Sequence, residues 1–126
     1  MNDLLREWIE KAEGDVHTAE REFRVTRKPN YDAVCFHAQQ AVEKYLKALL
    51  QNKSIPIPRS HDLVYLTKLL GDSTPQITVL SDSLNRLTAY ATESRYPGEQ
   101  ANKKDAQESV KTMRLFRKIF RSILNI

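Results

Sequence analysis

The chain has little of what interrupts, staples or anchors a fold. Its 126 residues include one cysteine, one tryptophan, three glycines and five prolines. A lone Cys35 cannot form an internal disulfide, which excludes a disulfide-stapled scaffold and implies a reducing compartment. There is no paired-cysteine metal pattern, no glycine-rich phosphate loop and no Gly-x-Ser-x-Gly elbow. Long apolar runs are missing, and Asp3, Arg6 and Glu7 interrupt the N-terminus at once, so neither a membrane span nor a signal segment is read. These absences predict a soluble, cytoplasmic protein with no metal and no cofactor. The length fits a single domain over residues 1–126, able to bury roughly two-thirds of its unfolded surface.

What is present is helical periodicity. Leu5, Trp8, Ile9, Ala12, Val16, Ala19 and Phe23 stripe a first helix from residue 2 to about 25, capped by Asn2 or Asp3. Gly14 lies inside it and should cost about 1 kcal/mol relative to alanine. After the turn Arg27-Lys28-Pro29-Asn30, a second helix runs from about Tyr31 to Gln51 on the stripe Val34, Cys35, Ala38, Ala41, Val42, Tyr45, Leu46 and Leu49. Ile55-Pro56-Ile57-Pro58 reads as an extended connector. Ser60 is expected to cap a short helix, His61 to Leu70, ended by Gly71. Pro75 opens a fourth helix with Ile77, Leu80, Leu84, Leu87 and Ala91 inward, and Lys103 to Leu124 forms the last. With no strand pattern, the fold is predicted to be all-α: an antiparallel up-down bundle of four long helices plus one short helix.

The second helix carries more than one stripe. His37, Gln40 and Lys44 line its edge at i, i+3 and i+7, while Phe36 and Leu50 fall nearly opposite the core stripe. Two sides to bury predict a neighbour beyond the domain's own core, with Phe36 and Leu50 in a homodimer contact. On the core stripe, Cys35 reads as a small buried hydrophobe.

Four groups could carry chemistry. His37, Gln40 and Lys44 offer imidazole, amide and ammonium groups along one edge. His61 precedes Asp62 at a helix start, where backbone N–H groups favour phosphate. Arg95-Tyr96-Pro97-Gly98 is a constrained turn presenting a guanidinium and a phenol, a pairing suited to phosphate and base. Lys104, Lys111, Arg114, Lys118 and Arg121 form a basic face within a C-terminal segment, residues 102–126, that holds seven cations against two carboxylates. Such a row is usually a solvated face, and no aromatics interleave with it, so it supports RNA contact only weakly. Glu13 and His17 form an i, i+4 pair without a third ligand in view, which reads as surface pairing rather than a metal site.

These residues resemble a known family. Trp8, Ala12, Asp15 and Ala19, the run Cys35-Phe36-His37-Ala38-Gln39-Gln40-Ala41-Val42-Glu43-Lys44, then Lys47-Ala48-Leu49-Leu50, His61-Asp62-Leu63 and Ser94-Arg95-Tyr96-Pro97 are similar to the HEPN domains (higher eukaryote and prokaryote nucleotide-binding). The resemblance implies a helical bundle, commonly a homodimer, of a small prokaryotic type often paired with a minimal nucleotidyltransferase in toxin–antitoxin-like systems. It implies nucleotide binding, and RNA cleavage in members carrying an arginine and a later histidine with four to six residues between them. No histidine here has an arginine at that spacing. The expectation is therefore a non-catalytic module that binds a nucleotide or a nucleotidyltransferase partner, with His37, Gln40, Lys44, His61, Arg95 and Tyr96 as ligand-binding residues. The alternatives are a metal-independent ribonuclease with a variant site and a purely structural subunit of a nucleotidyltransferase complex.

Overall fold

A computed structural model describes residues 1–93 and 96–126. Among these, regular structure is helical throughout: α1 (Asp3–Phe23), α2 (Tyr31–Asn52), α3 (Leu63–Leu69), a 3₁₀ turn (Gly71–Ser73), α4 (Pro75–Thr78), α5 (Ser81–Glu93) and α6 (Lys103–Leu124). No helix of the described residues is long and apolar enough to cross a membrane.

Local chemistry sets most helix ends. The Asn2 side chain accepts from the Leu5 N–H at 2.7 Å, and that of Asn30 accepts from Ala33 at 3.0 Å. Asn102 and Asp105 form a reciprocal capping box at the start of α6. The short helix begins later than expected. Asp62 is its cap, accepting from Tyr65 at 3.1 Å, while the Ser60 hydroxyl accepts from the Asp62 N–H one step earlier. His61 thus precedes the helix, and α3 is a seven-residue element. The predicted fourth helix is divided into α4 and α5. The break at Val79 and Leu80 follows the β-branched run Ile77-Thr78-Val79, which weakens helix propagation, and the Ser81 hydroxyl donates to the Thr78 carbonyl across it.

Helix α2 is central, touching α1, α3, α5 and α6. Contacts of Asp15 with His37 and of Glu13 with Tyr45 show that α1 runs antiparallel to α2. Cys35 against Ser109 and Tyr45 against Phe116 and Phe120 show that α2 and α6 run parallel, as alternate helices of an up-down bundle do. The core stripe of α2 is fully buried, as read from its periodicity.

The second side of α2 is also buried, and its own chain covers it. Leu50 is wholly buried in the core cluster, and Ile55 and Ile57 of the connector pack against that cluster. The connector is tied down by the Ile55 N–H, which donates to the Leu50 carbonyl at 2.9 Å. This corrects the expectation of a dimer contact through Leu50: the side chain has no surface left to offer a second copy. Phe36 is half-buried and meets the His37 ring edge-on at 5.3 Å.

Candidate ligand-binding site

Two buried carboxylates organise the polar residues of α2. Asp15, on α1 between Ala12 and Ala19, accepts from Lys44 Nζ at 2.5 Å through Oδ2, and its Oδ1 lies 2.8 Å from His37 Nδ1. The Asp15 side chain is only 11% exposed, against 31% for His37 and 24% for Lys44. The carboxylate is therefore sealed between the helices while the imidazole and ammonium reach solvent. With Nδ1–H donating to Asp15, Nε2 is left pointing away from the carboxylate.

Glu43 repeats this pattern. It takes Lys47 Nζ at 3.1 Å on Oε2, and its Oε1 lies 2.9 Å from His61 Nδ1. Its side chain is 5% exposed, whereas His61 is 79% exposed. Gln39 donates from Nε2 to Glu43 Oε1 at 3.3 Å and to the His61 carbonyl at 3.2 Å. Gln40 in turn donates to Gln39 Oε1 at 2.9 Å. Lys47 also lies 5.9 Å from the centre of the Trp8 ring. A buried ion pair contributes little net stability over an apolar substitute, but breaking it is costly.

Of the residues expected to bind ligand, His37 and Lys44 are joined by Asp15, and Gln40 and His61 are joined by Gln39 and Glu43. Because Gln40 lies one turn from both His37 and Lys44 on α2, the two clusters share a seam. Tyr96 is exposed in the connection between α5 and α6, and among the described residues the hydrogen bonds of the seam do not extend to it. That connection is tied to the start of α2 by the Ala101 N–H, which donates to Asp32 Oδ1 at 2.7 Å. Arg95 lies outside the described residues.

Asp15, Gln39, Glu43 and Lys47 were not expected as site residues. A signal for Asp15 exists: a carboxylate three residues after Ala12 and four before Ala19 lies beside the buried stripe. Glu43 and Lys47 carry the i, i+4 spacing of an ion pair, but only the fold buries that pair, with His61 on Glu43 and the Trp8 ring beside Lys47.

Elsewhere, charge pairs staple helices. Arg117 grips Glu13 with two bonds of 2.8 and 2.7 Å, and the Tyr45 hydroxyl donates to the same carboxylate. The Arg117 bonds hold the Glu13 carboxyl below its usual range, and burial followed by the Glu13 contact pushes the Tyr45 phenol up. Glu13 is thus taken up within the bundle, while His17 is exposed. Among the described residues, no group of three or more His, Cys, Asp or Glu side chains is placed to hold a metal. The basic face of α6 is partly spent on pairing: Arg114 clasps Glu20 at 2.7 and 2.5 Å, and Arg121 lies 4.0 Å from Glu13.

An antiparallel helical bundle with a polar seam anchored by buried carboxylates is the class that fold and site define. The family model described as HEPN domain matches residues 5–123, and the chain belongs to that family. Its fold is similar to the crystal structure of TT1696 from Thermus thermophilus, with a TM-score of 0.75 and 22% identity over 94% of both chains. It is also similar to ST0689, an archaeal HEPN homologue, with a TM-score of 0.63 and 26% identity over 91% of this chain and 93% of that one. No curated protein matches the chain.

Proposed function

We propose that this chain is a non-catalytic HEPN-type module that binds a nucleotide through the seam of α2, and that it serves a nucleotidyltransferase partner in a toxin–antitoxin-like pair. The supporting observation is the sharing of Asp15 by His37 and Lys44. The carboxylate holds the ring by one nitrogen and leaves Nε2 and part of the ammonium facing solvent. In the doubly protonated ring both nitrogens donate, so His37 can link Asp15 to a ligand phosphate. Gln40 and His61 extend the set of donors along the seam. Tyr96, in a connection fixed near the start of α2, is an exposed ring on which a base can stack.

A second reading, a metal-independent ribonuclease, is favoured by one observation. A carboxylate on Nδ1 of a half-buried imidazole that still reaches solvent is the arrangement that orients a general base. Against it stands the missing arginine–histidine spacing.

Calorimetric titration of ATP, GTP and short RNAs tests the first reading, with His37→Ala and Lys44→Ala as controls. Binding that both variants weaken is expected. No ligand tighter than millimolar, and no nucleotidyltransferase co-purifying from the source, overturns it. RNA cleavage lost in His37→Ala transfers the assignment to the second reading.

A further inference from the structure

We propose that His61 is a phosphoryl acceptor: its Nε2 takes a phosphoryl group from a small anhydride donor, an acyl phosphate or a nucleoside triphosphate, while Glu43 holds the ring from behind.

The ring and its anchor lie in opposite surroundings. The His61 side chain is 79% exposed, whereas the Glu43 carboxylate, 2.9 Å from its Nδ1, is 5% exposed. A carboxylate only accepts, so Nδ1 carries the proton and the neutral ring keeps its free lone pair on Nε2. That nitrogen is turned away from Glu43 and toward solvent. The residue is held at its backbone as well, since its carbonyl accepts from Gln39 Nε2 at 3.2 Å. Lys47 lies 3.1 Å from the other carboxylate oxygen, so Glu43 itself is fixed. Glu43 thus has its counter-charge without His61, and an ion pair with so exposed a partner adds little stability. What the contact supplies is an aimed nucleophile.

Of the chain's three histidines, this one combines an anchor with an open ring. His17 is exposed but has no carboxylate contact among the described residues, because Glu13, one turn earlier, is taken by Arg117 and Tyr45. His37 is anchored on Asp15 but is only 31% exposed, shares that carboxylate with Lys44 and packs edge-on against Phe36. In-line attack on phosphorus needs both a directed lone pair and free space before it, and His61 has both.

The step needs no proton transfer. The Nε2 lone pair attacks the terminal phosphorus of the donor. The N–P bond forms as the P–O bond to the leaving group breaks, and that oxygen departs with the electron pair, as a carboxylate or a nucleoside diphosphate. Nδ1 keeps its proton, and the positive charge that develops on the ring faces the Glu43 carboxylate across the existing hydrogen bond. The product carries a phosphoryl dianion at the exposed end of the seam.

The test is incubation of the full chain with acetyl phosphate and, separately, with ATP and GTP labelled on the γ-phosphoryl group, followed by peptide mapping of acid-labile, alkali-stable phosphate. His61 should be labelled by acetyl phosphate roughly tenfold or more faster than His17, and that advantage should vanish in urea, where the Glu43 contact is gone. His61→Ala should abolish the label. Glu43→Gln, with folding confirmed by circular dichroism, should slow it by a similar factor. Absence of label from every donor overturns the proposal, as does His17 reacting as fast as His61, an advantage that persists in urea, or a folded Glu43→Gln that reacts at the parent's rate. Label from ATP or GTP as well supports it with the nucleotide as donor, whereas label from acetyl phosphate alone supports it with an acyl phosphate as donor. The acceptor does not rest on the nucleotide reading. Label from acetyl phosphate without nucleotide binding removes only that reading, and nucleotide binding without any label removes only this one.

Discussion

Nδ1 of His37 lies 2.8 Å from Oδ1 of Asp15, a residue on the neighbouring helix and 22 positions earlier in the chain. That contact fixes which ring nitrogen faces inward and leaves the other to a ligand. Asp15→Asn removes the charge shared with Lys44 while keeping the shape. A loss of about 1–3 kcal/mol in denaturant-induced unfolding is expected. Weaker nucleotide binding by calorimetry should accompany it. Unchanged binding would mean that Asp15 serves the bundle alone.

Glu43 and Lys47 form a pair in which both side chains are more than nine-tenths buried. Glu43→Ala strands the ammonium and should destabilise by about 3–5 kcal/mol. The double change Glu43→Met/Lys47→Met should regain much of that loss, because an apolar pair needs no compensation for lost hydration. Equilibrium unfolding of both variants checks the difference.

Acid should unfold the protein through Glu13, Glu20 and Glu108. Arg117, Arg114 and Tyr90 respectively, by hydrogen bonding to the carboxylates, hold these groups below their ordinary value of 4.5. The folded state then binds protons less readily than the unfolded one. The stability so gained is complete above about that ordinary value and is lost as pH falls through the lower folded values. Melting temperature should therefore drop steeply below the ordinary glutamate range, and Glu13→Gln should flatten part of that acid limb while lowering stability at neutral pH.

Leu50→Ala opens a cavity in the chain's own core and should cost about 2–5 kcal/mol. Sedimentation of the variant should show the association behaviour of the parent. A variant of native stability that dissociates would return Leu50 to an interface between copies.

Cys35 is fully buried beside Ser109, and burial pushes its thiol up. Native protein should react with a thiol reagent no faster than it unfolds, whereas denatured protein should react at once.

Helix ends were legible where the cap is local. Asn2, Asn30 and Asn102 each reach a backbone N–H three residues on, a relation written in the sequence itself. The short helix starts two residues later than its sequence suggests because Ser60 and Asp62 are both good caps, and the extended path of the connector decides between them. The division of α4 from α5 had a local signal in Ile77-Thr78-Val79, masked by the inward spacing of Leu80, Leu84 and Leu87.

The candidate site was legible in part. His37, Gln40 and Lys44 stood out as a row, but Asp15 lies on another helix, and no spacing along the chain relates the two. Gln39, Glu43 and Lys47 are buried by groups distant in the chain, His61 and Trp8, which no spacing along α2 announces.

By itself the sequence determined that this chain is a helical bundle with α2 at its centre, because periodicity and capping act within a turn or two and need no partner. Only the tertiary structure decided what covers the second side of α2 and which carboxylate each histidine meets. Those outcomes depend on how distant segments pack, and the same apolar pattern at Leu50 satisfies a foreign surface or its own connector equally well.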